Sequence, residues 1–296
     1  MGAVVSVGLF TSSLVACSKL DASVAPVSPS GIEAGADAAE RPEPSCPAER
    51  PDSGTCVHYV EGAVADVTGK PIGPASVTVC GPGTCYGGRG DGAGQFKVRV
   101  GGYIDLATYR VHLDGRPDYA DRFASLDGLT GPVLRLQDPI RTVKLPASGP
   151  PLVSGGSATT VQSGTVTVRV QAGTEFDFGF ANLSDEIHGK ELRTTALSPA
   201  SIPEWSEFSA LVAFGPFGST ASKPLGIRLD LSVALVPLAP VEILVLQDDY
   251  ASPDLGRMVV QAAGHVSADG LHVDTDDGQG VQRLTWIGVR ELGKGK

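Results

Sequence analysis

Residues 164–170 read GTVTVRV, where Val166, Val168 and Val170 alternate with Thr165, Thr167 and Arg169. Successive side chains of a strand point to opposite faces, so a period of two sends the valines to a core and the polar residues to solvent. The pattern recurs upstream. In 94–100, GQFKVRV, Phe96, Val98 and Val100 face inward and Lys97 and Arg99 outward; in 75–80, ASVTVC, Ala75, Val77 and Val79 share a face opposite Ser76 and Thr78. ATYRVHL at 107–113 places Tyr109, Val111 and Leu113 inside. Further strands are expected in VHYVEGAVAD from Val57, near 133–136 and 140–145, and in GKELRTTAL, ALVAFGP, PLGIRLDL, VEILVLQ, RMVVQAAGHV, LHVDT and VQRLTWIGV. The 38 Gly and 22 Pro supply the tight turns that so many short strands need. Almost no helical periodicity competes, so the chain reads as all-β, two β-sandwich domains in tandem behind a disordered N-terminal tether, the second a sandwich or a barrel.

Composition sets the boundaries. The first domain takes 56–146, a Pro-, Gly- and Ser-rich linker 147–163, and the second domain 164–292. Residues 17–55 hold scarcely a bulky apolar side chain, so nothing there offsets the entropy of ordering, and they read as a tether. Ahead of them, residues 3–15 (AVVSVGLFTSSLV) are apolar or small and uncharged, the length of a signal-peptide core and too short to span a bilayer. No Lys or Arg precedes Lys19, as expected if the natural start lies further upstream.

That run ends in Leu14-Val15-Ala16-Cys17, which resembles the cleavage box of bacterial lipoproteins, making 1–16 the signal peptide. The resemblance implies a mature chain beginning at Cys17, with a diacylglyceryl thioether and an amide-linked acyl chain. One acyl chain binds a membrane marginally and two or more bind durably. Ser18, after the lipidated cysteine, points to the outer membrane under the common sorting rule. Met1-Gly2-Ala3-Val4-Val5-Ser6 also fits the loose myristoylation pattern, but the apolar run behind it fits export better.

Removing Cys17 leaves Cys46, Cys56, Cys80 and Cys85, an even number in a chain addressed for export, which reads as two disulfides. Four cysteines permit three pairings; the local ones, Cys46–Cys56 and Cys80–Cys85, are preferred. Neither pair has the CxxC spacing of a zinc site. A net charge of −10 argues against nucleic acid as a partner, because phosphates select basic patches.

Two further resemblances accompany these patterns. Gly62-x-Val64-x-Asp66-x-x-Gly69-x-Pro71-Ile72-x-x-Ala75-x-Val77, then Asp91-x-x-Gly94-x-Phe96 and Gly102-Tyr103, resemble the carboxypeptidase regulatory-like domain, a transthyretin-like β-sandwich. It implies a non-catalytic accessory module and brings no active-site residue. Val170-x-Ala172-Gly173-Thr174, 212–218 (VAFGPFG) and 223–229 (KPLGIRL) resemble the ZU5-type β-domain. Some of its relatives cleave themselves at His-Phe-Ser; here Glu207-Phe208-Ser209 lacks the histidine.

No catalytic signature stands out. The five histidines, His58, His112, His188, His265 and His272, make no HExxH, and no GxSxG elbow or phosphate loop occurs. His265 and His272 could face each other across a hairpin and hold a metal, but more often such residues are the polar face of a strand. Asp274-Thr275-Asp276-Asp277-Gly278 is similar to a calcium loop, yet glycine falls fifth and position twelve is Thr285, so a surface turn is the better account, as for Asp248, Asp249 and Asp254. Arg89-Gly90-Asp91 lies in a Gly-rich loop where Asp91 already has a turn to make. A sugar platform would need exposed rings; Trp286 reads as core, and Trp205 and Tyr250 are the candidate ligand contacts, although core packing is the better account of them. The expectation is a lipid-anchored cell-envelope protein with no metal or other cofactor and a non-catalytic binding or structural role. Its partners would be the membrane, through Cys17, and an envelope protein or polysaccharide; the alternative is a carbohydrate-binding or polysaccharide-handling accessory protein.

Overall fold

The computed structural model describes residues 43–49, 54–179 and 190–292. Cys17, the signal peptide and most of the tether lie outside them, as do Asn182 and His188. Among the described residues the regular structure is strand, with two short 3-10 turns, Pro199–Ser201 and Pro203–Trp205, and no helix long and apolar enough to cross a membrane.

The first lobe is a sandwich. Strand β1 (Thr55–Asp66) pairs antiparallel with β4 (Gln95–Ile104) and parallel with β7 (Val133–Arg135) and β8 (Ile140–Thr142). The facing sheet runs β3 (Thr84–Arg89), β2 (Ser76–Gly81), β5 (Arg110–Asp114), β6 (Arg122–Ser125). Their inner faces share one core that includes Val60, Val77, Val79, Phe96, Val98, Val111 and Leu134. The alternation of GQFKVRV holds residue by residue: Phe96, Val98 and Val100 are buried, Lys97 and Arg99 exposed. Asp66 organises the following turn, its Oδ1 accepting from the Thr68 and Lys70 amides at 2.8 and 3.0 Å, and Asp91 does the same for Ala93 and Gln95 at 2.9 and 2.8 Å.

Both disulfides take the local pairing. Cys80 and Cys85 face each other across the β2–β3 hairpin, and Cys46 joins Cys56 at the start of β1, fixing residues 43–49 to the lobe.

Of the two forms expected for the second lobe, a sandwich or a barrel, the structure is nearer the barrel. Its strands form one eleven-stranded sheet, ordered β12 (Arg193–Leu197), β13 (Ala210–Gly215), β19 (Trp286–Glu291), β15 (Pro240–Leu246), β16 (Met258–Val266), β17 (His272–Thr275), β14 (Ser219–Asp230), β10 (Val166–Val170), β9 (Thr159–Ser163). The short β11 (Phe176–Asp177) and β18 (Val281–Leu284) also pair with β14. The physical reason is β14 itself. Over its first half it pairs with β11 and β18, and over its second with β10 and β17, the register breaking between Thr220 and Leu225 around Pro224, which has no N–H to give. One bent strand thus joins what would otherwise be two sheets. The ends of the sheet nearly close, where Thr194 on β12 hydrogen-bonds Ser163 on β9 through both its amide and its hydroxyl. One core fills the inside, with Val166, Val168, Phe214, Ile227, Ile243 and Ile287.

The expected linker 147–163 is in large part structure. Leu152 is buried, Pro151 bridges Glu191, and 159–163 form β9 against β10. Gly149 lies so close to β12 that a Cβ there would meet the Leu192 carbonyl oxygen at 2.0 Å. From Glu43 onward the chain packs as a single unit, and a third buried cluster fills the seam between the lobes, with Phe123, Leu145, Ile202, Trp205, Leu246 and Trp286.

Candidate functional site

The seam gathers most of the chemistry-bearing side chains. Strand β5 presents His112, and the following loop and β6 bring Asp121 and Arg122; the second lobe answers with Trp205 from a 3-10 turn, Tyr250 from the β15–β16 loop and Trp286 from β19. A cavity of about 180 Å³ opens beside them, its walls including His112, Asp121, Phe123, Phe217, Asp248 and Tyr250.

Three of these groups form a hydrogen-bonded chain. His112 Nε2 lies 3.2 Å from Asp121 Oδ2, and the Tyr250 hydroxyl lies 2.8 Å from His112 Nδ1. In a neutral ring, an Nε2 that donates to the carboxylate leaves Nδ1 to accept from the phenol. The imidazole stacks on Phe123 with centroids 4.6 Å apart, and Tyr250 meets both rings edge-on. The Asp121 carbonyl accepts from Trp286 Nε1 at 2.7 Å, binding the same corner to β19. Burial, reinforced by Asp121 and Asp248, pushes the Tyr250 phenol well above its ordinary range. The three groups together form a strut from β5 and the loop before β6 to the β15–β16 loop of the second lobe. Asp248 is also pushed up by burial, with the Arg283 ion pair opposing the shift.

Arg122 is the second pin. Its side chain is 1% exposed, its guanidinium carbon sits 3.6 Å from the Trp205 ring centroid and 5.6 Å from that of Trp286, and it pairs with Glu204. Burial lowers its pKa to about 10 against the opposing pull of Glu204. Arg193 adds a third tie across the seam, donating to the Pro117 carbonyl at 2.9 Å.

The two ring candidates therefore fare differently. Tyr250 lines the cavity. Trp205, a weaker candidate for a ligand than for the core, is core: it is 7% exposed, edge-on against Trp286 and covered by Arg122. It borders a separate groove of about 560 Å³ with Glu204, Glu207, Arg257 and Arg290 on its walls, so the structure does not bring Trp205 and Tyr250 into one site. Trp286 is fully buried, as its apolar surroundings in the sequence indicate.

The remaining motifs find structural partners. His265 pairs with Asp276 at 2.8 Å and His272 with Asp230 at 3.0 Å, so the two histidines do not converge on one point. Asp274 pairs with Arg169, and Asp254 with Arg257. Among the described residues the one close group of metal-ligand types is Cys46, Cys56 and His58, whose two sulfurs are bonded to each other. His112, Asp121 and Arg122 carried no sequence signal of their role, since Tyr250 is 138 residues from His112 and Glu204 is 82 from Arg122.

No protein-family model matches the chain, and no curated protein or solved structure matches it either.

Proposed function

We propose that the chain is an exported, lipid-anchored cell-envelope protein whose β body has a non-catalytic binding or structural role. The observation that carries this reading is the seam: His112, Asp121, Tyr250, Arg122 and Glu204, the groups best suited to chemistry, are engaged with one another in holding the two lobes together. The two disulfides support export, since such bonds persist in oxidising compartments. The box ending at Cys17 supports the anchor, Ser18 the outer membrane, and the carboxypeptidase regulatory-like and ZU5-like patterns an accessory role. Fractionation with metabolic acyl labelling tests it. The wild-type chain carries label and sediments with membranes, and Cys17→Ser loses both; an unlabelled wild-type chain in the soluble fraction overturns the anchor.

A second reading, binding of a carbohydrate, is favoured by the aromatic and carboxylate walls of the seam cavity. Polysaccharide pull-down that Tyr250→Ala weakens while the body remains folded would establish it, and equal retention of both forms would exclude that cavity.

A further inference from the structure

Seven large apolar side chains are exposed among the described residues, and five of them belong to one end of the second lobe: Val233 (73%), Val236 (58%), Leu238 (69%), Leu271 and Leu292. Three come from the β14–β15 loop, and backbone bonds draw the other two beside it, Leu231 N to Leu271 O at 2.8 Å and Leu292 N to Pro240 O at 3.0 Å. This is the end of β15 away from the seam, since Leu244 and Leu246 belong to the seam cluster and Pro240 opens the strand. Isolated exposed valines and leucines need no explanation, but a cluster at one loop tip does.

We propose that this tip docks on a phospholipid bilayer, dipping its aliphatic side chains to the level where headgroups meet acyl chains. Four observations favour lipid over a protein partner. The stretch 231–241, LSVALVPLAPV, carries no charge over eleven residues. Apart from Ser232 its exposed side chains are aliphatic, without the Trp, Tyr and Arg anchors that dominate protein interfaces, and they line neither cavity described above. Part of the loop's backbone is already bonded within the tip, Leu235 N to Gly270 O, Leu238 N to Val266 O and Ala239 N to Val236 O, and Pro237 has no amide to bond. Each such bond lowers the cost of taking the backbone out of water. Finally, Leu238 is the one non-glycine residue with positive φ (59°) among the described residues, a conformation costly for a leucine, and it displays that side chain outward. The proposal rests on the anchored reading for its nearness to a bilayer. It also predicts indifference to salt, because the tip has Asp230 and Asp269 at its base and no lysine or arginine in the loop.

The test uses the chain from Ser18 onward, which keeps the whole compact unit and lacks both the apolar leader and the lipidated cysteine, with vesicles of phosphatidylcholine and phosphatidylethanolamine. The chain is expected to float with the vesicles equally at low and high salt. Val236→Ser with Leu238→Asn lowers the bound fraction at least tenfold; asparagine tolerates positive φ, and an unchanged unfolding midpoint shows that the body is intact. Solution-phase recovery of the unsubstituted chain, or equal flotation of the double variant, overturns the proposal. So does a concentration-dependent dimer that the double variant abolishes without any vesicle binding, which would give the tip to a second copy. Acyl labelling at Cys17 reads the anchor separately, so either idea can fail alone.

Discussion

Replacing Arg122 with methionine should leave the body as stable as wild type or more stable by about 1–2 kcal/mol, whereas Glu204→Ala should destabilise it by about 2–3 kcal/mol. The asymmetry follows from the geometry. Arg122 is almost wholly desolvated and its Nε and Nη1 have no hydrogen-bond partner among the described residues, each such group costing about 1–3 kcal/mol. Against that stand stacking on Trp205, of the order of 1–2 kcal/mol, and an ion pair weakened by the 58% exposure of Glu204. Methionine keeps the length and an aromatic contact for the sulfur while removing the charge. Glu204→Ala does the reverse, leaving the cation buried without its counter-charge; the usual 3–5 kcal/mol for such a loss is reduced because water reaches the glutamate's position. The assay is built in. Trp205 and Trp286 are the only tryptophans, and both pack around Arg122, so fluorescence during urea unfolding reports the seam. An Arg122→Met protein less stable than Glu204→Ala would refute the account of the pin.

Replacing Cys46 and Cys56 together by serine should cost about 2.5–3 kcal/mol, and Cys80 with Cys85 about 2 kcal/mol, following the separations of 10 and 5 residues; urea midpoints of the paired variants check the order. Gly149→Ala should destabilise by about 1–3 kcal/mol as the new methyl group meets the Leu192 carbonyl, whereas a loose linker would give no change in the unfolding midpoint. Tyr250→Phe should cost about 1 kcal/mol at neutral pH by removing the proton donor to His112. Because folding raises the Tyr250 pKa, its stabilisation is complete below the unfolded value of about 10 and is lost as pH rises through the folded one. The gap between wild type and Tyr250→Phe therefore narrows above about pH 10 in urea titrations; a gap that widens contradicts the strut.

Much of the architecture was legible because it is local. Val166, Val168 and Val170 are buried and Arg169 exposed as their alternation dictates, and short loops between cysteines favoured the pairing observed. What escaped is what depends on distance along the chain. Residues 159–163 lie in a segment whose composition reads as linker, and only pairing with β10 makes them a strand. VQRLTWIGV reads as one strand but breaks at Thr285, where the buried hydroxyl donates to the Leu246 carbonyl. The nearly closed sheet depends on β14 changing partners halfway, which a period-two pattern cannot express. The seam was invisible for the same reason: a lone arginine, a lone histidine and two tryptophans acquire meaning only when the lobes meet.

The central claim, anchorage through Cys17 of a disulfide-bonded body, is tested most directly by the intact mass of the protein taken from its own membranes, before and after alkaline release of ester-linked chains. The account predicts a mature chain beginning at Cys17 with added acyl mass, four hydrogens lighter than the form with Cys46, Cys56, Cys80 and Cys85 reduced. A mass beginning at Met1 with free thiols would contradict it.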